Sequence, residues 1–127
     1  MDKVTFKLNR DQFSGAVKTE WLENEPRKMM LLNDLNFTDS QGKVWIAMYG
    51  SIIDGASIPE IFWPLIGSPF VGFYRRSTVL HDVYCQNHLR PSKAVHRMFW
   101  EAMIADGVTK EKADIMYKAV KNFGPRW

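Results

Sequence analysis

Four side chains carry the best prospects for chemistry in this sequence: the adjacent pair His81 and Asp82, and the more distant Asp54 and His96. Imidazole nitrogen and carboxylate oxygen together suit a divalent metal such as zinc, manganese or magnesium. A water held by such an ion is a nucleophile for hydrolysis. The same residues equally suit a buried hydrogen-bond network, in which Asp54 accepts backbone N–H groups of a turn while Asp82 orients His81 or pairs with Arg75 or Arg76. Both readings are open at this level. No histidine precedes His81, so the two-histidine pattern of the His-Asp phosphohydrolases is absent.

Other residues offer weaker chemistry. His81, Cys85 and His88 fall on one face of a helix, but closed zinc sites draw ligands from two elements with tighter pairs, and Cys85 reads better as a small buried hydrophobe. Ser57 lacks the Gly-x-Ser-x-Gly elbow of a nucleophile and lies two residues before Pro59, so it reads as a helix cap. Arg75 and Arg76 are placed to steer an anionic substrate toward the Asp/His set, and Arg90, Lys93 and Arg97 to extend that basic mouth.

Those residues need elements to hold them. Val4, Phe6 and Leu8 alternate with polar residues at the period of a strand. Val17 to Trp21, Met29 to Leu32, Leu35 to Thr38 and Val44 to Tyr49 follow as short strand candidates, with Asp39-Ser40-Gln41-Gly42 as a hairpin turn. After Pro59 the period changes. Ile58 to Leu65 predicts a short helical turn, broken at Gly67-Ser68-Pro69, and Tyr74 to Leu89 predicts a full helix that Pro91 stops. Ser92 is the expected N-cap of a helix burying Val95, Met98, Phe99, Ala102 and Met103 and ending at Gly107. Thr109 is the expected cap of a last one, with Ala113, Met116, Tyr117 and Val120 inward and Gly124-Pro125 as its stop. Strands first and helices second is the order of an α+β fold: a small, mostly antiparallel N-terminal sheet followed by a C-terminal bundle of three helices.

The 127 residues suit one domain, with residues 1–53 as its β-rich part and 54–127 as its helical part. The hydrophobic share of 46% and charged share of 24% are those of a globular chain. Prolines at 59, 64 and 69 interrupt the longest apolar stretch, so no membrane span is expected, and the N-terminus lacks the apolar core of a signal peptide. The single cysteine fits a reducing compartment. Residues 1–69 hold seven Lys/Arg against nine Asp/Glu, and residues 70–127 hold ten against five, so the second half is basic. That imbalance suits an anionic small molecule, a nucleic acid or an acidic protein, and equally suits solvated helix faces.

Several segments agree in order and spacing with one family: Asp54-Gly55-Ala56-Ser57-Ile58-Pro59, Phe62-Trp63, Tyr74-Arg75-Arg76, Leu80-His81-Asp82, Phe99 through Met103, Gly107-Val108, Met116-Tyr117 and Phe123-Gly124. Over residues 54–127 the chain resembles the phage-associated domain of unknown function 1353. It departs from that family's pattern at His96, where the family has Asp; both side chains can ligate a metal. The resemblance implies a small phage or prophage protein acting in the host cytoplasm or the virion, and it supplies no reaction. Two functions are therefore carried forward. One is a metal-dependent hydrolase-like domain using Asp54, His81, Asp82 and His96. The other is a non-enzymatic accessory protein that meets a host or phage protein, with the same residues pinning the sheet to the helices.

Overall fold

Alternation along the strands decides which way the sheet half faces. Leu35 and Phe37 are buried on one strand and Trp45 and Ala47 on the next, while Val44 and Ile46 between them are exposed, the period of two that gives a sheet one inner face. In the computed structural model, which describes residues 8–25, 27–66 and 74–127, these strands are β3 (Leu35–Thr38) and β4 (Val44–Ala47), paired antiparallel. The Asp39–Gly42 turn joins them, with Gly42 at φ 81°, where a side chain would be strained. A second sheet has the order β1 (Thr19–Trp21), β2 (Met29–Leu31), β5 (Ile52–Ile53), again antiparallel throughout.

Among the described residues, the first half forms two small antiparallel sheets. A single turn of 3-10 helix at Arg10–Gln12 precedes β1. The strand predicted around Val4 and Phe6 and the break at Gly67-Ser68-Pro69 lie outside the described residues.

The helical half follows the Gly and Pro punctuation. After a short 3-10 turn at Glu60–Phe62 and α1 (Trp63–Ile66), the three long helices are α2 (Arg75–Asn87), α3 (Ser92–Ala105) and α4 (Lys110–Phe123). Thr109 caps α4 by accepting the Lys112 N–H, and Gly124 closes its last turn. Ser92 is not the cap of α3: Pro91 holds that position without a side-chain bond, and Ser92 is the first helical residue, its hydroxyl donating to the Trp127 carbonyl 3.0 Å away. The predicted α3 stripe is buried as expected.

Helix α2 is the member that meets both halves. Its Tyr84 hydroxyl accepts the Ile46 N–H and Arg90, just beyond its end, donates to the Val44 carbonyl. These bonds cap the open edge of β4, which would otherwise present unpaired backbone groups to another strand. One apolar cluster lies between the strands and the helices, around Leu31, Leu35, Phe37, Leu80 and Val95; a second lies under α3 and α4, around Phe99, Met103 and Met116. Burying one such side chain is worth about 1.5–3 kcal/mol, so α3, which supplies both clusters, holds the fold together more than any strand. Among the described residues, no helix is long and apolar enough to cross a membrane.

Candidate functional site

Strand β5 ends at Ile53, and the chain turns at once through Asp54 and Gly55. Gly55 is buried at φ 73°, a backbone that only glycine takes without strain, and the Ile58 N–H closes the turn on its carbonyl. Asp54 braces the turn by accepting the Ala56 N–H at 2.8 Å. The turn leaves the Asp54 and Ser57 N–H groups pointing at α2. Asp82 receives both, at 3.0 and 3.3 Å, and Gln86 one helical turn later donates to Asp82 at 3.1 Å and to the Ile52 carbonyl at 2.8 Å. The Asp82 carboxylate is thus the acceptor that joins α2 to the corner after β5.

Burial is the largest influence on that carboxyl. It pushes the Asp82 pKa up to about 6; the Asp54 and Ser57 N–H bonds oppose the shift, and the nearby Asp54 charge adds to it. Asp82 is 1% exposed, so its charge is costly even with three donors.

His81 is fully buried and bonds away from this corner. Its Nε2 lies 2.8 Å from His96 Nδ1, and His96 Nε2 lies 2.9 Å from the Pro125 carbonyl oxygen. A carbonyl only accepts, so His96 donates from Nε2 and keeps Nδ1 free of a proton; His81 must then donate from Nε2, leaving its own Nδ1 as an acceptor 3.7 Å from Cys85 Sγ. The polarity of the chain is fixed from His81 through His96 to Pro125, with Cys85 Sγ 3.7 Å from both His81 ring nitrogens. It requires two neutral rings, and burial lowers both pKa values, His81 well below the ordinary range with the His96 charge adding to the effect. Phe99 packs on the His81 ring at 4.5 Å between centroids. Cys85 is no reactive thiol, since burial, helped by the Asp82 charge, pushes it up to about 12.

The four Asp/His residues are thus drawn into two pairings on different sides of α2: Asp82 with the Asp54 corner, His81 with His96. Among the described residues, no three or more His, Cys, Asp or Glu side chains are grouped so as to hold a metal ion. His88 leaves the predicted stripe, sitting left-handed at the end of α2 and stacking on Trp127 with 4.2 Å between centroids.

The two anion-steering candidates also face the sheet half. Arg75 donates to the Thr19 hydroxyl, and Arg76 grips both oxygens of buried Asp106, reaches the Gly15 carbonyl and lies over the Phe13 ring. Arg90 lies over Trp45, and Arg97 pairs with buried Glu101, which also accepts the Ser40 N–H. Sequence reasoning missed Asp106 and Gln86 as anchors. The signal for Gln86 was its place four residues after Asp82, one helical turn away.

An α+β chain whose helix-borne His-Asp pair binds a Gly-Ala-Ser corner on one side and a second histidine on the other is the class defined here. The chain belongs to the family described as protein of unknown function DUF1353, whose model matches residues 29–120. It is 40% identical over 116 residues to the uncharacterized protein y4jT and 37% identical over 119 residues to the uncharacterized protein y4iH, both of Sinorhizobium fredii (strain NBRC 101917 / NGR234). Those alignments take in 91% and 94% of this chain but only 34% and 50% of the relatives. The chain therefore spans half or less of the curated relatives it matches. No solved structure matches it.

Proposed function

We propose that this chain is a non-enzymatic accessory domain, of phage or prophage origin, that engages a host or phage protein, and that its Asp/His set is the joint between sheet and helices. The observation that carries this reading is that Asp82, His81 and His96 are each bonded within the fold. Asp82 accepts from Asp54, Ser57 and Gln86, and the two imidazoles form a closed chain ending on a carbonyl. Groups so engaged are committed to partners within the fold, and opening them costs the fold those buried partners. The alignment of this chain with a part of longer relatives fits a module that works as one piece of a larger assembly. Host cytoplasm or virion is the compartment that goes with the reading.

A second reading, the metal-dependent hydrolase, draws on one observation: the Asp54 charge is close enough to disfavour ionisation of Asp82, and a divalent cation between two carboxylates would relieve that. Elemental analysis of purified protein with unfolding in chelator separates the two. The joint predicts metal-free protein whose unfolding midpoint is unmoved by chelator. Stoichiometric zinc, manganese or magnesium, lost in Asp82→Asn or His81→Ala, would establish the hydrolase reading instead.

A further inference from the structure

Away from the joint, the start of α3, the last turns of α4 and the segment after it enclose a cleft of about 260 Å³. Lys93, Lys121 and Arg126 line it from those three places, with His96 and Tyr117 in its wall and no Asp or Glu side chain. None of the three cations makes a salt bridge among the described residues, whereas Arg76, Arg97 and Lys110 in the same half each hold a carboxylate. Arg126 donates to the Asn122 carbonyl, which answers the exposed end of α4, and Lys121 sits 5.8 Å from the Tyr117 ring centre. Three like charges converging on one concavity repel one another unless an anion joins them.

The opening of α3 adds to this. Pro91 provides no side-chain cap, so the first amides of a 14-residue helix, at Ser92 and Lys93 in the cleft lining, meet no capping oxygen. Such amides favour an anion. The Ser92 hydroxyl is already given to Trp127, so the cations and amides are the recognising groups.

We propose that this cleft binds a small phosphomonoester. A dianion with three terminal oxygens gives each of three cations its own oxygen and carries more charge to balance them than a carboxylate does. The volume admits a phosphate with a short polar body, and the Tyr117 ring offers that body a flat wall. A nucleic acid would call for cations spread as a stripe over an open surface, not gathered into a cavity. The site goes beyond the joint: apart from His96 it shares no residue with it, so either can fail without the other.

The test is calorimetric titration of the whole chain, at low and at physiological salt, with inorganic phosphate, a hexose phosphate, acetate and a single-stranded oligonucleotide. One equivalent of hexose phosphate should bind, more tightly than inorganic phosphate, and acetate should not. Lys121→Glu and Arg126→Glu, both at exposed positions, should each weaken binding at least about tenfold, roughly 1.4 kcal/mol. Lys118→Glu, exposed on α4 outside the cleft, should leave it unchanged. No binding by the natural chain, equal binding by Lys121→Glu, or a preference for the oligonucleotide would each overturn the proposal. Inorganic phosphate binding as tightly as hexose phosphate would reduce the site to one for the free anion and overturn the ester.

Discussion

Asp82→Asn should gain stability relative to the natural chain as pH rises from 4 to 7, by about 2 kcal/mol across that range. The cause is a buried carboxyl whose folded pKa stands at about 6 against an ordinary 3.8. Between those values the folded state holds a proton that the unfolded state has released. Stability from this group is therefore present below pH 3.8 and is lost as pH climbs through 6, the reverse of an ion-paired carboxylate. Asparagine does not titrate, so the difference between the two unfolding curves isolates the effect. Denaturant titrations at half-unit pH steps measure it, and parallel curves would show that Asp82 is not desolvated in the folded chain.

His81→Ala should cost about 3–4 kcal/mol at pH 7.5, combining a cavity in the core with an orphaned His96 nitrogen. His81 is fully buried against Phe99 and between two hydrogen-bonding neighbours, so little can move in to fill the space. The pH dependence runs opposite to that of Asp82. Both histidines are lowered in the fold, so the unfolded chain takes up protons first as pH falls through 6.5, and their contribution is complete above that pH and lost below it. The variant should accordingly show a weaker loss of stability from pH 7 to 5 than the natural chain. A loss under 1 kcal/mol at pH 7.5 would mean that His81 is not a packed member of the core.

Much of the helical half was legible because punctuation is local. Pro91, Gly107 and Gly124 stop helices through their own backbone chemistry, and the apolar stripe of α3 follows from spacing alone. The cap of α3 was misread because Ser92 suits the position by type, whereas Pro91 occupies it and Ser92 turns to Trp127. Strand β5 was missed because two residues after a turn carry no period; Ile52 and Ile53 become a strand only by pairing with β2.

The candidate site divides along the same line. That His81, Asp82, Asp54 and His96 are the residues able to form a polar network or a metal site could be read from residue types. That they form two pairings could not, because the deciding partners are main-chain groups: the Asp54 and Ser57 N–H donors and the Pro125 acceptor. Adjacent helix residues also point about 100° apart, which separates Asp82 from His81. The cationic cleft was invisible for a third reason. Lys93 and Lys121 lie far apart in sequence and meet only through the packing of α3 against α4.

The claim on which the account turns is that Asp82 holds the corner after β5 through two backbone N–H bonds, and amide hydrogen exchange reads those bonds directly. The Asp54 and Ser57 amides sit in a turn outside any ladder, yet they should exchange as slowly as the core amides of α2, with or without chelator, and should become fast in Asp82→Ala. Exchange at the rate of an open loop in the natural chain, or protection that appears only when a divalent metal is added, would contradict the joint.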